Sequence, residues 1–175
     1  MSEQVTTSEE LVRQRLAERL AQLAIDAPIV PYPAHSTVEE GKQLRGQMAG
    51  TFTKNLLLKD KKSRLFLLSV HEDAIVDLKT LHTLLGAQGR LSFASPDLIV
   101  ALLGVGPGTV TPLALMNDTE TVIALVLDAS LLDADQINFH PMIHTESIGV
   151  TPAQLTTFLD ACEHPPLAIA FDRVS

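Results

Sequence analysis

A loop rich in glycine and proline lies past the middle of this sequence and restricts how its neighbours can fold. Three glycines and two prolines fall within the nine residues 104–112, after an apolar helical pattern and before an apolar pattern typical of a strand. Glycine permits positive φ and close approach by another molecule, whereas proline fixes φ and removes a hydrogen-bond donor. We therefore expect a shaped loop whose backbone N–H groups can hold an anion or a carbonyl. An ordinary helix-to-strand connection explains the loop alone equally well.

Motifs for the common catalytic and nucleotide-binding sites are missing from the sequence. The loop is followed by no Gly-Lys-Ser/Thr and lacks the G-x-G-x-x-G fingerprint, and the chain has no G-x-S-x-G, H-E-x-x-H or C-x-x-C. His140 and His144 are four residues apart, but Pro141 argues against a helix between them. In a strand the two rings would lie about 13 Å apart, too far for one metal ion. We expect neither a metal nor a cofactor.

Length and composition indicate a single domain with a sizeable core over residues 1–175. The chain is 46% hydrophobic and has one cysteine, Cys162, so an intrachain disulfide is excluded. Cys162 lies in an apolar helical stretch, and we interpret it as structural. The first twenty residues lack the apolar region of a signal peptide, and no stretch approaches the length of a membrane span. These features predict a cytoplasmic protein with no membrane partner.

The charges are distributed unevenly along the chain. A net charge of −8 argues against broad contact with nucleic acid, DNA in particular. Residues 42–64, however, carry seven basic residues and one acid, Asp60, against 6 basic and 20 acidic residues elsewhere. A basic stripe on an acidic body favours a small polyanionic contact. A lysine-rich hairpin turn that is merely solvated is the alternative.

Helical and strand patterns are mixed rather than strictly alternating, which predicts an α+β fold with a mixed, partly antiparallel sheet and flanking helices. An N-terminal helical segment is expected over residues 8–48, and its part from 37 to 48 is either a mobile lid or an ordinary edge helix. Further elements are predicted as strands at 52–58, 64–70, 91–94, 121–127 and 147–150, and as helices at 77–85, 96–103, 131–135 and 151–162. The strand at 147–150 is expected to be the last.

Two strongly polar residues, Lys54 and Asn55, interrupt the apolar pattern of the first of these strands. A lysine within a strand usually points to solvent. If Lys54 faces a groove instead, it is a cation fixed on a rigid element and is suited to holding a phosphate or a carbonyl.

Five segments carry a resemblance to a known family, in the order that the family has them. They are residues 53–60, 90–96, 103–112, 114–118 and 140–141. The chain resembles the YbaK/prolyl-tRNA editing domain family, most closely the freestanding alanyl-tRNA(Pro) deacylases of the ProXp-ala type, over roughly residues 35–165. The resemblance implies the fold of that family. It also implies hydrolysis, in trans to prolyl-tRNA synthetase, of the ester of mischarged tRNA(Pro), with alanine as the first expected amino acid.

The resemblance further implies a site without a conventional nucleophile. The terminal ribose hydroxyl of the tRNA and a water would act while loop backbone groups hold the substrate. The implied catalytic residues are Lys54, Gly108, Thr109, Val110, Thr111, Pro112 and His140, with Lys54 on a phosphate or carbonyl of the terminal nucleotide and His140 as pocket wall or water orienter. The implied pocket residues are Asn55, Pro141, His144 and Thr145. The expected tRNA contacts are Arg45, Lys59, Lys61, Lys62 and Arg64.

The sequence departs from the family pattern after the His-Pro pair. Where the family commonly has Asn-Thr-x-Thr/Ser, this chain has His144 for the asparagine and Glu146 for a small residue. If either faces the pocket, serine, threonine or cysteine could replace alanine as the amino acid removed. A non-catalytic module of the same fold that binds tRNA or a synthetase is a second hypothesis, and a small-molecule hydrolase is a third. Prolyl-tRNA synthetase and an elongation factor are candidate partners.

Overall fold

Helices cover both faces of one mixed sheet in the computed structural model, which describes residues 8–33, 37–45 and 48–174. The helices are α1 (Ser8–Gln22), α2 (Val38–Arg45), α3 (Leu78–Leu85), α4 (Pro96–Leu103) and α5 (Pro152–Ala161). The strands are β1 (Ile29–Pro31), β2 (Thr51–Lys59), β3 (Leu65–His71), β4 (Ser92–Phe93), β5 (Ile123–Asp128), β6 (Ile137–Phe139), β7 (Glu146–Val150) and β8 (Leu167–Ile169). Short 3-10 helices span Pro107–Thr109, Pro112–Asn117 and Ala129–Asp133. None of the helices in these ranges has the length and apolar character needed to cross a membrane.

The sheet combines parallel and antiparallel neighbours. Its strand order is β1-β7-β6-β2-β3-β5-β8, with the short β4 also paired to β2. The pairs β1–β7, β6–β7, β2–β3 and β2–β4 are antiparallel, whereas β2–β6, β3–β5 and β5–β8 are parallel. The predicted mixed, partly antiparallel sheet with flanking helices is confirmed.

The two central strands contribute side chains to a core on each face of the sheet. Leu57 and Leu67 pack into the larger core with residues of α1, α4 and α5. Their neighbours Leu58 and Leu68 pack into the smaller core against α3. Because successive side chains in a strand point to opposite faces, this alternation accounts for the continuous apolar runs of β2 and β3.

Local capping signals set the ends of several helices. The Ser95 side chain accepts from the backbone of the first turn of α4, and Thr151 forms a capping box at the start of α5. Gly86 and Gly104 end α3 and α4 with φ of 64° and 71°. These left-handed values favour glycine over other residues.

Three expectations differ from the structure. The apolar run after the glycine loop is part of the 3-10 helix Pro112–Asn117 rather than a strand, because Thr111 caps it and its first four residues are buried. The strand near 147–150 is not the last, since β8 follows. The segment 8–48 contains β1 between its two helices. Within the hypothetical lid, residues 46–47 lie outside the described residues, so its mobility stays a prediction.

A buried hydrogen bond between His164 and Asp118 joins the C-terminal segment to the turn before β5. His164 Nε2 lies 2.9 Å from Asp118 Oδ2, and His164 Nδ1 lies 2.6 Å from the carbonyl oxygen of Cys162. Asp118 also accepts hydrogen bonds from the backbone N–H groups of Val122 and Ile123. The exposed fractions of the His164 and Asp118 side chains are 1% and 2%. The pair therefore fixes the approach of β8 to β5 from inside the protein.

Candidate active site

A cavity of about 60 Å³ opens at the beginning of β2, beside β6 and α2. We call it the histidine cavity, because the ring of His140 forms part of its wall. Its other lining residues are Tyr32, Val38, Arg45, Phe52, Thr53, Asn55, Glu72, Asn138, Phe139 and Ser147. Polar groups from β2, β6 and β7 thus converge on a small volume.

The cavity lies where one edge of β2 has no strand neighbour. On that side β6 pairs with residues 51–52 of β2, and β4 pairs with residues 58–59. Between these attachments, residues 53–57 have no strand partner on that side among the described residues, although the carbonyl oxygen of Leu57 accepts from the backbone N–H of Ala94. Backbone donors and acceptors of this open edge are therefore accessible to a bound molecule.

The imidazole of His140 is held in a defined orientation. Its Nδ1 lies 2.8 Å from the carbonyl oxygen of Glu146, and its ring meets Tyr32 edge-on at 5.4 Å between centroids. Because a carbonyl oxygen only accepts, Nδ1 carries the proton in this hydrogen bond. In the neutral ring Nε2 is then a hydrogen-bond acceptor, which suits the orientation of a water or a hydroxyl.

Asn55 brings an acceptor to the same region. Its Nδ2 donates to Thr53 Oγ1 at 3.2 Å, and Thr53 Oγ1 donates to the carbonyl oxygen of Asn138 at 2.9 Å. Asn55 Oδ1 is buried and has no hydrogen-bond partner in the described part of the chain. Since a buried acceptor without a partner costs free energy, a ligand that donates to Asn55 Oδ1 would be favoured here.

A second depression, of about 220 Å³, continues from Asn55 along the open edge of β2. We call it the edge groove. Its lining residues are Asn55, Leu56, Leu57, Phe93, Ala94, Pro96, Ile99, Pro107 and Val110. The groove brings Asn55 and Val110 together, two residues that the sequence predicted for the site.

The glycine loop has the predicted fixed shape. The backbone N–H and the Oγ1 of Thr109 both donate to the carbonyl oxygen of Gly106, each at 3.1 Å. A Cβ added at Gly106 or Gly108 would meet no atom within 4 Å, and neither residue has positive φ. Packing within the chain therefore does not require glycine at either position. Close approach by a ligand is a reason for glycine to be present there.

The loop also borders a third cavity, of about 340 Å³, between α1 and the segment after β6. Residues 104–109 line it together with Ser8, Glu9, Val12, Met142, Ile143 and His144. We call it the loop cavity. His144 thus faces the loop cavity, whereas His140 faces the histidine cavity. Gly108 and Thr109 line the loop cavity together with His144.

Four other predicted residues lie away from the cavities. Thr111 and Pro112 are buried, and Thr111 Oγ1 accepts from the backbone N–H of Leu113. Pro141 is buried, whereas Thr145 is exposed and its carbonyl oxygen accepts from the backbone N–H of Tyr32. These residues shape the backbone around the site.

The two departures from the family pattern do not line the histidine cavity. His144 is exposed at the loop cavity. The carboxylate of Glu146 accepts two hydrogen bonds from Arg13 of α1, at 2.9 and 2.6 Å. Glu146 therefore joins β7 to the first helix.

Lys54 lies on the opposite face of β2 from Thr53 and Asn55, and it is not among the lining residues of the histidine cavity. Its amine donates to the carbonyl oxygen of Ala74 at 2.5 Å. Burial lowers the pKa of Lys54, and the nearby carboxylate of Asp73 partly opposes that effect. Lys54 therefore does not line the cavity, although Phe52, on the same face of β2, and Glu72, two residues before Ala74, both do.

The predicted tRNA contacts fall into two groups. Arg45 donates to both carboxylate oxygens of Glu72 and lies 3.7 Å over the centroid of the Phe52 ring. This arginine builds the wall of the histidine cavity. The other four residues cluster at the β2–β3 turn, where Lys59 is half-buried and the rest are exposed: Lys59, Lys61, Lys62 and Arg64.

No thiol or metal centre is evident among the described residues. Burial raises the pKa of Cys162 to about 11, so its reactive thiolate is scarce at neutral pH. The thiol donates to the carbonyl oxygen of Phe158 one turn earlier, at 3.3 Å. No three His, Cys, Asp or Glu side chains within the described ranges come together as metal ligands.

Two residues that line the histidine cavity, Tyr32 and Thr53, are not among those predicted from the sequence. Tyr32 comes from the proline-rich segment after α1, far from the other site residues in sequence, and no local pattern marks it. Thr53 lies two residues before Asn55, so strand alternation could have placed it on the same face.

Comparison with known proteins identifies the family. The model of the aminoacyl-tRNA editing domain matches residues 32–158, a range that contains both His140 and the glycine loop. This chain belongs to the aminoacyl-tRNA editing domain family. In Danio rerio, prolyl-tRNA synthetase associated domain-containing protein 1 is 40% identical over 163 residues, which cover 92% of this chain and 88% of that protein.

One more distant relative and one solved structure are also similar to this chain. The prolyl-tRNA editing protein ProX of Acetoanaerobium sticklandii is 27% identical over 150 residues, which cover 85% of this chain and 91% of that protein. A crystal structure of a candidate trans-editing enzyme for prolyl tRNA synthetase superposes with a TM-score of 0.70 at 22% identity, covering 93% of this chain and 98% of that one. The fold is therefore the editing-domain fold over nearly the whole chain.

Proposed function

We propose that this protein is a trans-acting editing hydrolase that deacylates mischarged tRNA(Pro), with alanine as the amino acid removed and without a metal ion. The observation that carries the proposal is the convergence of His140, Asn55 and the open edge of β2 on one small cavity. The names of the relatives, which refer to prolyl-tRNA editing and to prolyl-tRNA synthetase, support the choice of tRNA. The small volume of the cavity favours a small aminoacyl group.

The ester linkage of an aminoacyl-tRNA is already activated, so positioning and stabilisation of charge can supply much of the rate. In this proposal His140 Nε2 accepts a hydrogen bond from the attacking water or from the terminal ribose hydroxyl. Asn55 Oδ1 accepts from the α-amino group of the substrate, which gives this buried oxygen a partner. Backbone N–H groups of the open β2 edge stabilise the developing oxyanion, and Val110 of the glycine loop borders the edge groove beside Asn55.

Lys54 has a supporting part in this scheme. Its amine would leave the carbonyl of Ala74 and bind a phosphate of the terminal nucleotide.

Because burial lowers the pKa of Lys54, its positive charge is lost at a lower pH than that of an exposed lysine. We expect the affinity for tRNA to fall on the alkaline side as pH rises through this lowered pKa. Dissociation constants measured between pH 7 and 10 for wild type and Lys54→Arg test this, since arginine stays charged and should remove the alkaline loss. Identical profiles for the two proteins would contradict a phosphate contact by Lys54.

The proposed reaction is tested by single-turnover deacylation of tRNA(Pro) charged in turn with alanine, serine, threonine, cysteine and proline. We expect rapid loss of alanine, retention of proline and a strongly reduced rate for Lys54→Ala. Rapid loss of serine, threonine or cysteine instead would support the editing activity but identify a different amino acid as the one removed. Absence of turnover with all five substrates would reject the hydrolase.

A non-catalytic module that binds tRNA is the second candidate, and the position of the Lys54 amine on Ala74 favours it. The same experiment separates the two functions, because such a module would bind charged tRNA(Pro) without releasing any amino acid.

A further inference from the structure

An aromatic ring is exposed at the far end of the edge groove. Phe93 on β4 is 61% exposed, although phenylalanine is usually buried. β4 is held by its pairing with β2, where Phe93 lies opposite Leu58 and Ser92 opposite Lys59. The exposed ring is thus fixed on a strand beside the cationic turn.

The acid of that turn is buried. Asp60 is 5% exposed, and its carboxylate accepts hydrogen bonds from the backbone N–H groups of Lys62, Arg64 and Gln88. The remaining charged side chains of segments 59–64 and 86–90 are all positive: Lys59, Lys61, Lys62, Arg64 and Arg90. We call these two segments the basic platform. Its surface is cationic on a protein whose net charge is −8.

Backbone contacts make the basic platform one unit. The backbone N–H of Lys61 donates to the carbonyl oxygen of Gln88 at 2.9 Å, and the guanidinium group of Arg64 donates to the carbonyl oxygen of Gly86 at 3.2 Å. Gly89 has φ of 77°, and a Cβ there would lie 2.5 Å from Cδ of Lys61. The alkyl chain of Lys61 therefore lies directly on the Gly89 backbone, which places this lysine on the surface of the basic platform.

Phe93 connects the basic platform to the candidate active site. Its ring lines the edge groove, and Asn55 lines both that groove and the histidine cavity. From Asn55 to Lys59 the strand extends about 13 Å, at roughly 3.3 Å per residue. A continuous path thus leads from the histidine cavity, along the open β2 edge and past the Phe93 ring, to the cationic surface.

We propose that this path binds the unpaired 3′ strand of an RNA, with one base stacked on Phe93 and the preceding phosphates on the basic platform. Stacking on an exposed aromatic ring beside a positively charged groove is how proteins hold single-stranded nucleic acid without reading its sequence. The inference rests on the proposed function, because it takes the terminal nucleotide to enter the histidine cavity. It adds Phe93 and Arg90 to the proposed RNA contacts. It also gives the strand a direction, with the 3′ end in the histidine cavity and the preceding nucleotides toward the basic platform.

The absence of tryptophan from the sequence allows a direct test. Phe93→Trp creates a single tryptophan, which can be excited selectively and keeps the stacking surface. We expect its fluorescence to be quenched by a short RNA with the 3′ sequence of tRNA. An oligonucleotide of the same length and charge in which the stacked nucleotide is abasic should bind without this quenching. Leu84→Trp is the matched control, because Leu84 is 63% exposed on α3, away from the groove.

Affinities complete the test. Phe93→Ala should weaken binding of uncharged tRNA about 5- to 100-fold. Lys62→Ala should lower the slope of log affinity against log salt by about 0.7 for a contact to a single strand. Lys79→Ala, an exposed lysine on α3, should change neither quantity. Unchanged affinity in Phe93→Ala, or equal quenching at positions 93 and 84, would overturn the proposal.

The outcomes distinguish this inference from the proposed function. Deacylation that persists at full rate in Phe93→Ala, at low enzyme concentration, would leave the hydrolase intact and reject the stacking role. Binding of tRNA by a wild type that releases no amino acid, together with quenching in Phe93→Trp, would support the stacking role and reject the hydrolase. A wild type that binds no RNA would overturn both.

Discussion

Replacement of Asp118 by alanine is expected to lower the free energy of unfolding by about 3–5 kcal/mol. The change leaves His164 without its carboxylate partner in a fully buried position, where the two atoms of the pair are 2.9 Å apart. It also removes the acceptor of two backbone N–H groups, those of Val122 and Ile123. For a domain of this size, the melting temperature should fall by about 6–20 °C.

Urea unfolding of wild type, Asp118→Ala, His164→Ala and the double variant measures this effect and the coupling between the two side chains. We expect the double variant to lose much less than the sum of the single losses, because the second change removes a group that is already unpaired. Asp133→Ala, at an exposed position, is the control and should change stability by less than about 0.5 kcal/mol. A loss below about 1 kcal/mol for Asp118→Ala would contradict the role given to the pair.

Replacement of His140 by alanine is expected to lower the single-turnover rate of deacylation by about 100-fold or more. The substitution removes the Nε2 acceptor from the wall of the histidine cavity, while the exposed basic residues at the β2–β3 turn are untouched. The affinity for uncharged tRNA should therefore change little. Rates with saturating enzyme and separate binding measurements report the two quantities independently.

The control for His140→Ala is His82→Ala, because His82 lies on α3, outside the three cavities described. Melting curves of both variants verify that each protein is folded. A wild-type rate in His140→Ala, or an equal loss in both variants, would remove His140 from the proposed reaction.

The parts of the fold that depend on local chemistry could be predicted from the sequence. Ser95 and Thr151 mark helix starts because each satisfies backbone N–H groups of its own first turn. The run 113–116 was interpreted wrongly because a short apolar stretch fits a buried strand as well as a buried helix. The three-residue β8 has too little pattern of its own, and its place depends on pairing with β5.

The sequence could predict which residues belong to the candidate site, but not how they are arranged in space. Alternation along a strand separates Lys54 from Asn55, but it does not say which face meets His140. The family resemblance implied His144 as a pocket residue beside the catalytic His140. The intervening Met142 has φ of 64°, and this turn precedes the exposed His144 at the loop cavity. Such positions depend on tertiary packing, which a motif does not encode.

The open stretch of β2 has a consequence for solubility. An unpaired strand edge can recruit strands from other molecules and so begin aggregation. Here the gap covers only residues 53–57, and β6 and β4 close both of its ends, so an incoming chain cannot extend a continuous ladder along it. The fold can therefore present bare backbone to a small ligand while excluding another β-strand.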